Sequence, residues 1–208
     1  MAVHVNPPAL LPKGVFTTNG NQIFDPNGNP VRLFGVGWSG GYGRQATLHN
    51  LNIANYQSMM RDMVRLGVNT VRIHSWDRGV LDDTAMFGVN YSLNSDLQGL
   101  TYLGVCEKVM DYADTIGLRI VFESHLNEGD SFQQGNGLWY DVGGVSNGTD
   151  GNGLTGTITD ALFIQSWTTR ANRFKNKPAL VGYDIRNEPL AYPGDNHRPP
   201  LILSSGGR

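Results

Sequence analysis

Tyr183-Asp184-Ile185-Arg186-Asn187-Glu188-Pro189 ends an apolar strand pattern on an amide, a carboxylate and a proline. A residue that precedes proline is pushed out of the helical region into extended geometry, so Glu188 is held at the strand end and does not open the next helix. Asn187 then offers an amide that both donates and accepts, beside a carboxyl whose charge its surroundings decide. These groups suit proton chemistry if the strand end opens into a pocket. The rest of the chain has to build that pocket.

Working back from this stretch, residues 179–186 read as a fourth strand. A helix over 160–176 carries Phe163, Trp167, Ala171 and Phe174 on one stripe and stops before Pro178. The apolar run 118–123 is a third strand that gives way to Ser124-His125-Leu126-Asn127-Glu128. A helix over about 96–116 places Cys106, Val109, Met110 and Ala113 on one face and closes at Gly117. In 68–74, Val71 and Ile73 face one side of a strand, Arg72 and His74 the other. The spacing of Tyr56, Met59, Met60, Met63 and Val64 predicts a helix over 55–66 capped by Gly67, its methionines in the core. Residues 14–37 are extended, with turns at Asn19-Gly20 and Pro26-Asn27-Gly28. Their last part, 31–37, reads as a short buried strand running into a glycine-rich loop with Trp38 and Tyr42.

Alternating strands and helices argue for parallel βαβ units, which leaves a doubly wound sheet or a barrel. No glycine-rich phosphate loop joins the first strand to a helix, which weakens the nucleotide-binding form. Polar groups gather after all four strands: Trp38, Arg72 with His74, His125, and Asn187 with Glu188. Active sites of barrel enzymes are built in this way, from the C-terminal ends of several strands. The fold class read from this pattern is α/β, of (β/α)-barrel type, with four strands and three helices in view.

The chain of 208 residues is 39% apolar, which excludes disorder, and long enough to bury one core. A net charge of −2 gives no electrostatic footprint for nucleic acid or membrane, so a neutral partner is expected. Residues 1–13 show no basic start followed by an apolar run, and no segment is long enough to span a membrane. Cys106 is alone, reads as a small buried hydrophobe, and can form neither an internal disulfide nor a cysteine metal site. No metal-ligand spacing appears, and no metal or cofactor is expected. Residues 128–159 form a glycine- and asparagine-rich insertion holding Trp139 and Tyr140, of the length that usually carries function.

Gly35-Val36-Gly37-Trp38, Asn69-Thr70-Val71-Arg72-Ile73, Leu93-Asn94-Ser95-Asp96-Leu97-Gln98-Gly99-Leu100, Ile116-Gly117-Leu118-Arg119-Ile120-Val121 and Asn187-Glu188-Pro189 together resemble glycoside hydrolase family 5, close to its bacterial endo-β-1,4-glucanases. The likeness runs from about 14 to 189. It implies a (β/α)8 TIM barrel truncated to about these four strands and three helices, and a retaining, extracellular hydrolase of β-glucan, with mannan or xyloglucan as alternative substrates. Glu188 resembles the general acid/base, Asn187 the amide that binds the hydroxyl beside the reacting carbon, and Arg72 the arginine bracing the catalytic carboxylates. His125 resembles a substrate-pocket histidine and Trp38 an aromatic lining the cleft. His74 and Trp139 join them as substrate-binding candidates. The chemistry is consistent: a breaking glycosidic bond needs a proton, and a carboxyl with raised pKa delivers it.

Each assignment has a structural alternative. Glu188 can serve as a helix-start acid, Arg72 as an ion pair, His125 as a satisfied structural histidine, and Trp38 and Trp139 as packing. Glu123, where the family often has aspartate, reads as a buried, paired support; His74 and Asp77 have no settled role.

A retaining mechanism needs a second carboxyl ~5 to 5.5 Å from the first. The family takes it from a seventh strand, and no residue here inherits that role. Residues 1–13 read as an N-terminal extension, 14–189 as the N-terminal half of the barrel domain, and 190–208 as an irregular tail foreign to the family pattern. Such a half barrel is expected to self-associate through its open edge. An inactive glucan-binding half barrel and a structural fragment are the alternatives to an enzyme.

Overall fold

The computed structural model describes residues 10–41, 47–127 and 158–187. Three short strands, β1 (Thr17–Asn19), β2 (Gln22–Phe24) and β3 (Pro30–Val31), form an antiparallel sheet ahead of the main body. Its first turn is the Asn19-Gly20 step read from the sequence, with Gly20 at φ 58°. The main sheet is parallel, in the order β4 (Gly35–Trp38), β5 (Thr70–Trp76), β6 (Arg119–Leu126), β7 (Leu180–Asp184).

Three helices make the crossovers, and each starts on a capping side chain. Asn55 accepts from the Ser58 amide at the head of α1 (Tyr56–Arg65). A five-residue helix, α2 (Asp77–Leu81), follows β5 directly. Thr101 caps α3 (Tyr102–Thr115) and Thr159 caps α4 (Asp160–Phe174) in the same manner as Asn55. After α3 the chain turns at Gly117, whose φ of 72° suits glycine.

Side chains alternate along each strand, and the parallel register sorts them into two faces. Val71 and Ile73 of β5 and Ile120 and Phe122 of β6 are fully buried under the helices, in one cluster with Met60, Cys106 and Phe174. Phe122 and Phe174 meet edge to face with centroids 4.9 Å apart. On the other face Gly37 pairs with Arg72 and Arg72 with Val121, while His74, Glu123 and Asp184 form the next row. This second face is the inner wall of the partial barrel.

A buried polar lattice fastens the helical layer to the sheet. Asp77 and Arg170 are both fully buried, and Arg170 Nη1 lies 2.7 Å from Asp77 Oδ1. The guanidinium also donates to Ser75 Oγ at 2.9 and 3.2 Å, and Asp77 accepts from Ser124 at 2.9 Å and Ser166 at 2.7 Å. Arg170 packs over Trp167 as well, 4.7 Å from the ring centre. Two opposite charges share a dry site in which every charged group finds partners.

Several expectations change. Residues 31–37 are not one buried strand: Val31 ends the small sheet, and among the described residues β4 pairs on one side only, with Gly35, Val36 and Gly37 exposed. The helix read over 96–116 is a short 3-10 turn at Ser95–Leu97 followed by α3, because Gly99 takes φ 77° and Thr101 starts a new cap. On α4 the buried stripe is Phe163, Ser166, Arg170 and Phe174, and Ala171 faces outward. Asp77 supplies the reason, since its charge draws Arg170 inward.

The described end of the expected extension, residues 10–13, is docked on the base of the sheet. Arg119 donates to the Leu11 carbonyl at 2.6 and 3.2 Å, and Lys13 lies 2.6 Å from Asp114. The tail from 190 lies outside the described residues.

Removing one partner of a buried ion pair costs about 3–5 kcal/mol, and replacing both with apolar groups costs far less. Arg170→Met is therefore expected to lower the urea unfolding free energy by about that amount, with Asp77→Leu/Arg170→Met recovering most of it. Unfolding curves of the two variants check this; an unchanged midpoint for the single variant would contradict it.

Candidate active site

Arg72 emerges from β5 onto the inner wall and gathers the other polar groups around it. Its guanidinium pairs with Glu123 of β6 and with Asp184 of β7, reaching Asp184 Oδ2 through Nε at 3.0 Å and Nη2 at 2.6 Å. It also donates from Nη2 to Asn187 Oδ1 at 3.0 Å. A guanidinium only donates, so the Asn187 amide must turn its oxygen to Arg72 and its NH2 away from it. The Asn187 backbone is held too, donating to the Ser124 carbonyl at 2.9 Å.

Glu123 is fully buried and links Arg72 to two histidines. His125 Nδ1 lies 2.7 Å from Glu123 Oε1, and His74 Nε2 lies 3.3 Å from the same oxygen. A carboxylate paired with arginine accepts hydrogen bonds, which assigns the His125 proton to Nδ1 and leaves Nε2 on the far edge of the ring. The two rings stack at 4.5 Å with planes 8° apart. Burial, then the neighbouring His125 and Arg72, push the His74 pKa down to about 3 from its ordinary 6.5. His74 is thus a neutral imidazole at neutral pH. Gly37 on the next strand leaves room for it, since a Cβ there would lie 3.1 Å from His74 Nε2.

Of the residues singled out in the sequence, Arg72, His74, His125 and Asn187 converge on this wall. Glu188 and Trp139 lie outside the described residues, as do Glu128 and Asp130. Trp38, expected as an aromatic lining the cleft, is 4% exposed, belongs to the core cluster, and donates its indole N–H to the His49 carbonyl at 3.0 Å. Packing, the alternative reading, describes it. Glu123 is the buried, paired support expected of it. Asp77 points to the helical side, not to the cleft.

Two members of the site were not read in the sequence. Asp184 stands in register with Glu123, one row above Arg72, and its inward position follows from the alternation of Gly182, Tyr183 and Asp184. Asn127, fully buried, accepts from Arg186 at 2.8 Å and ties the end of β6 to the segment after β7. His74, Glu123 and His125 also form a group with metal-ligand chemistry, which linear spacing did not reveal.

A model described as Cellulase (glycosyl hydrolase family 5) matches residues 24–197. The chain belongs to this family. It is 32% identical over 171 residues to the major extracellular endoglucanase of Xanthomonas campestris pv. campestris, a match covering 82% of this chain and 32% of that protein. An endoglucanase of Paenibacillus polymyxa is 27% identical over 185 residues, covering 89% of this chain and 42% of the relative. Among solved structures, a cellotetraose complex of the endocellulase from Pyrococcus horikoshii superposes with a TM-score of 0.71 at 27% identity, covering 84% of this chain and 43% of that one. The catalytic domain of the Xanthomonas enzyme gives 0.70 at 31% identity, covering 84% and 45%. The chain therefore spans about a third to two fifths of the length of these curated relatives. The family 5 fold is a TIM barrel, and the four parallel strands and their crossovers are part of one.

The depressed pKa of His74 gives the fold a pH dependence with a fixed sign. As pH falls from about 6.5 towards about 3, the unfolded chain takes up a proton at this position that the folded chain refuses, so stability is lost over that window. Urea midpoints near neutral pH and near pH 5 are expected to differ less in His74→Asn than in the parent chain. Equal differences in the two would contradict the assignment.

Proposed function

We propose that this chain carries the acid/base half of a retaining endo-β-1,4-glucanase site. The observation that carries the reading is the hydrogen bond from Arg72 to Asn187, which directs the amide NH2 away from the guanidinium one residue before Glu188. In this reading Glu188 protonates the leaving glycosidic oxygen, and Asn187 donates to the hydroxyl beside the reacting carbon. His125 offers Nε2 to a sugar hydroxyl. Arg72 pairs with two carboxylates, Glu123 and Asp184.

The relatives, which are named endoglucanases, and a structural neighbour solved with cellotetraose support a substrate class. We assign β-1,4-glucan, with mannan and xyloglucan as the competing polymers, and an extracellular setting like that named for the Xanthomonas relative. Among the described residues no helix is long and apolar enough to cross a membrane. The nucleophile has no counterpart in these 208 residues under the family likeness. Binding without turnover is accordingly the second reading for the chain on its own.

In affinity gels the chain is expected to be retarded by cellulose-type glucan more than by mannan or xyloglucan, and His125→Ala is expected to lose most of that retardation. Reducing-sugar release from carboxymethyl cellulose is expected to stay at background, unchanged by Glu188→Gln. Release that Glu188→Gln abolishes would contradict the missing nucleophile; no retardation by any glucan would contradict binding.

The sheet edges bear on assembly. Among the described residues β4 and β7 each pair on one side only, and every residue of β7 is half-buried. Unpaired edges invite strand addition, so size-exclusion chromatography with light scattering is expected to show association that grows with concentration. A sharply melting monomer at all concentrations would contradict it.

A further inference from the structure

His49 is an exposed side chain on a segment that is otherwise anchored in the core, since Leu48 and Leu51 beside it are fully buried. Its backbone is fastened on both sides: the His49 amide donates to the Ser39 carbonyl at 2.9 Å, and the Trp38 indole donates to the His49 carbonyl at 3.0 Å. The ring is fastened separately, with Nδ1 3.1 Å from Ser39 Oγ. We propose that His49 is a further glucan-binding residue, whose Nε2 takes a hydroxyl of a sugar ring beyond the one addressed by Asn187 and His125. His49 thereby deepens the glucanase reading, on which its assignment rests.

The strand pattern puts this ring on the inner side. Along β4, Gly37 faces His74, since a Cβ on it would lie 3.1 Å from His74 Nε2, and Trp38 turns into the core. Ser39, next in the alternation, returns to the side of Gly37. There its hydroxyl meets His49. The ring is also close enough to His74 to act on it: after burial, His125 and Arg72, His49 is the next group that lowers the His74 pKa. In the sheet order β4-β5-β6-β7, the strands before His49 and under His125 are two apart, about 10 Å at the usual spacing. A separation of that size gives the two histidines different sugar rings.

Fastening the segment does not require an imidazole. The two backbone bonds and the buried leucines hold it without one, and Gly40, at φ 106°, lets residues 47 and 49 pack against the turn: a Cβ there would overlap the Thr47 carbonyl and the His49 ring. What the Ser39 bond adds is direction. It occupies Nδ1 and leaves Nε2 on the opposite edge of the ring. A sugar hydroxyl both donates and accepts, so it suits Nε2 in either tautomer that Ser39 selects. Because the ring is already oriented, little side-chain freedom is lost when the sugar arrives.

The test is a titration of the full chain with cellotetraose, read by calorimetry and by imidazole ring-nitrogen NMR. The His49 and His125 ring nitrogens are expected to shift together as the sugar binds. His49→Ala is expected to weaken binding about fivefold, the worth of one hydrogen bond. His49→Gln, whose amide reaches the place of Nε2, is expected to weaken it less, and so is Ser39→Ala, which keeps the ring but frees it. An unmoved His49 ring beside a shifting His125 ring, or His49→Ala binding as tightly as the parent, would overturn the assignment of His49 and leave the glucanase reading standing. No binding by the folded parent chain would overturn both. If His49→Ala fails to fold, the ring shifts of the parent chain decide the matter.

Discussion

Arg72 is a cation placed on the inner wall of an apolar sheet, and its demand for partners organises the wall. An arginine drawn from water unpaired is costly, so the strands beside it must bring anions to its level. Glu123 comes from β6 and Asp184 from β7, and the parallel register sets both in one row. A slip of one residue on either strand would turn these acids to the helical face and bury them without a cation. The same guanidinium then has one donor directed at Asn187, so the group that fixes the sheet register also orients the amide of the site.

The helical face solves the same problem with a second pair. Arg170 and Asp77 are buried behind Ser75 and Ser124, which alternate along the strands with His74, Glu123 and His125. Each strand is therefore gripped on both faces near its C-terminal end. The site residues stand on strands rather than on loops, which limits how far the histidine–carboxylate group can drift. Farther down, at the base, Arg119 and residues 10–13 complete the attachment of the chain start to the sheet.

The fold was legible because its signals are local. Alternation in 68–74 separated Val71 and Ile73 from Arg72 and His74, and Gly67, Gly117 and Pro178 marked the helix ends. What escaped depends on distant partners. The burial of Arg170 has no signal in helical spacing and follows from Asp77, 93 positions away. Apolar spacing favoured Ala171 for the same face. Trp38 was assigned to the cleft by family likeness, while its own environment packs it beside the residues of the core. Asp184 has its partners on β5 and β6, which only the sheet register brings beside it. The His74–Glu123–His125 group was invisible in linear spacing because the sheet, not the sequence, brings two strands together. Four site candidates did converge, Arg72, His74, His125 and Asn187: the first three alternate onto the inner face of β5 and β6, and Asn187 follows the end of β7, where a barrel collects its chemistry.

The central claim is that the Arg72 lattice presents Asn187 Nδ2 and His125 Nε2 to a sugar. A crystal structure of the chain soaked with cellotetraose tests it most directly. The account requires sugar hydroxyls within hydrogen-bond distance of both nitrogens, with the Asn187 oxygen still on Arg72. Sugar bound away from this wall, or an Asn187 amide turned with its oxygen to the ligand, would contradict it.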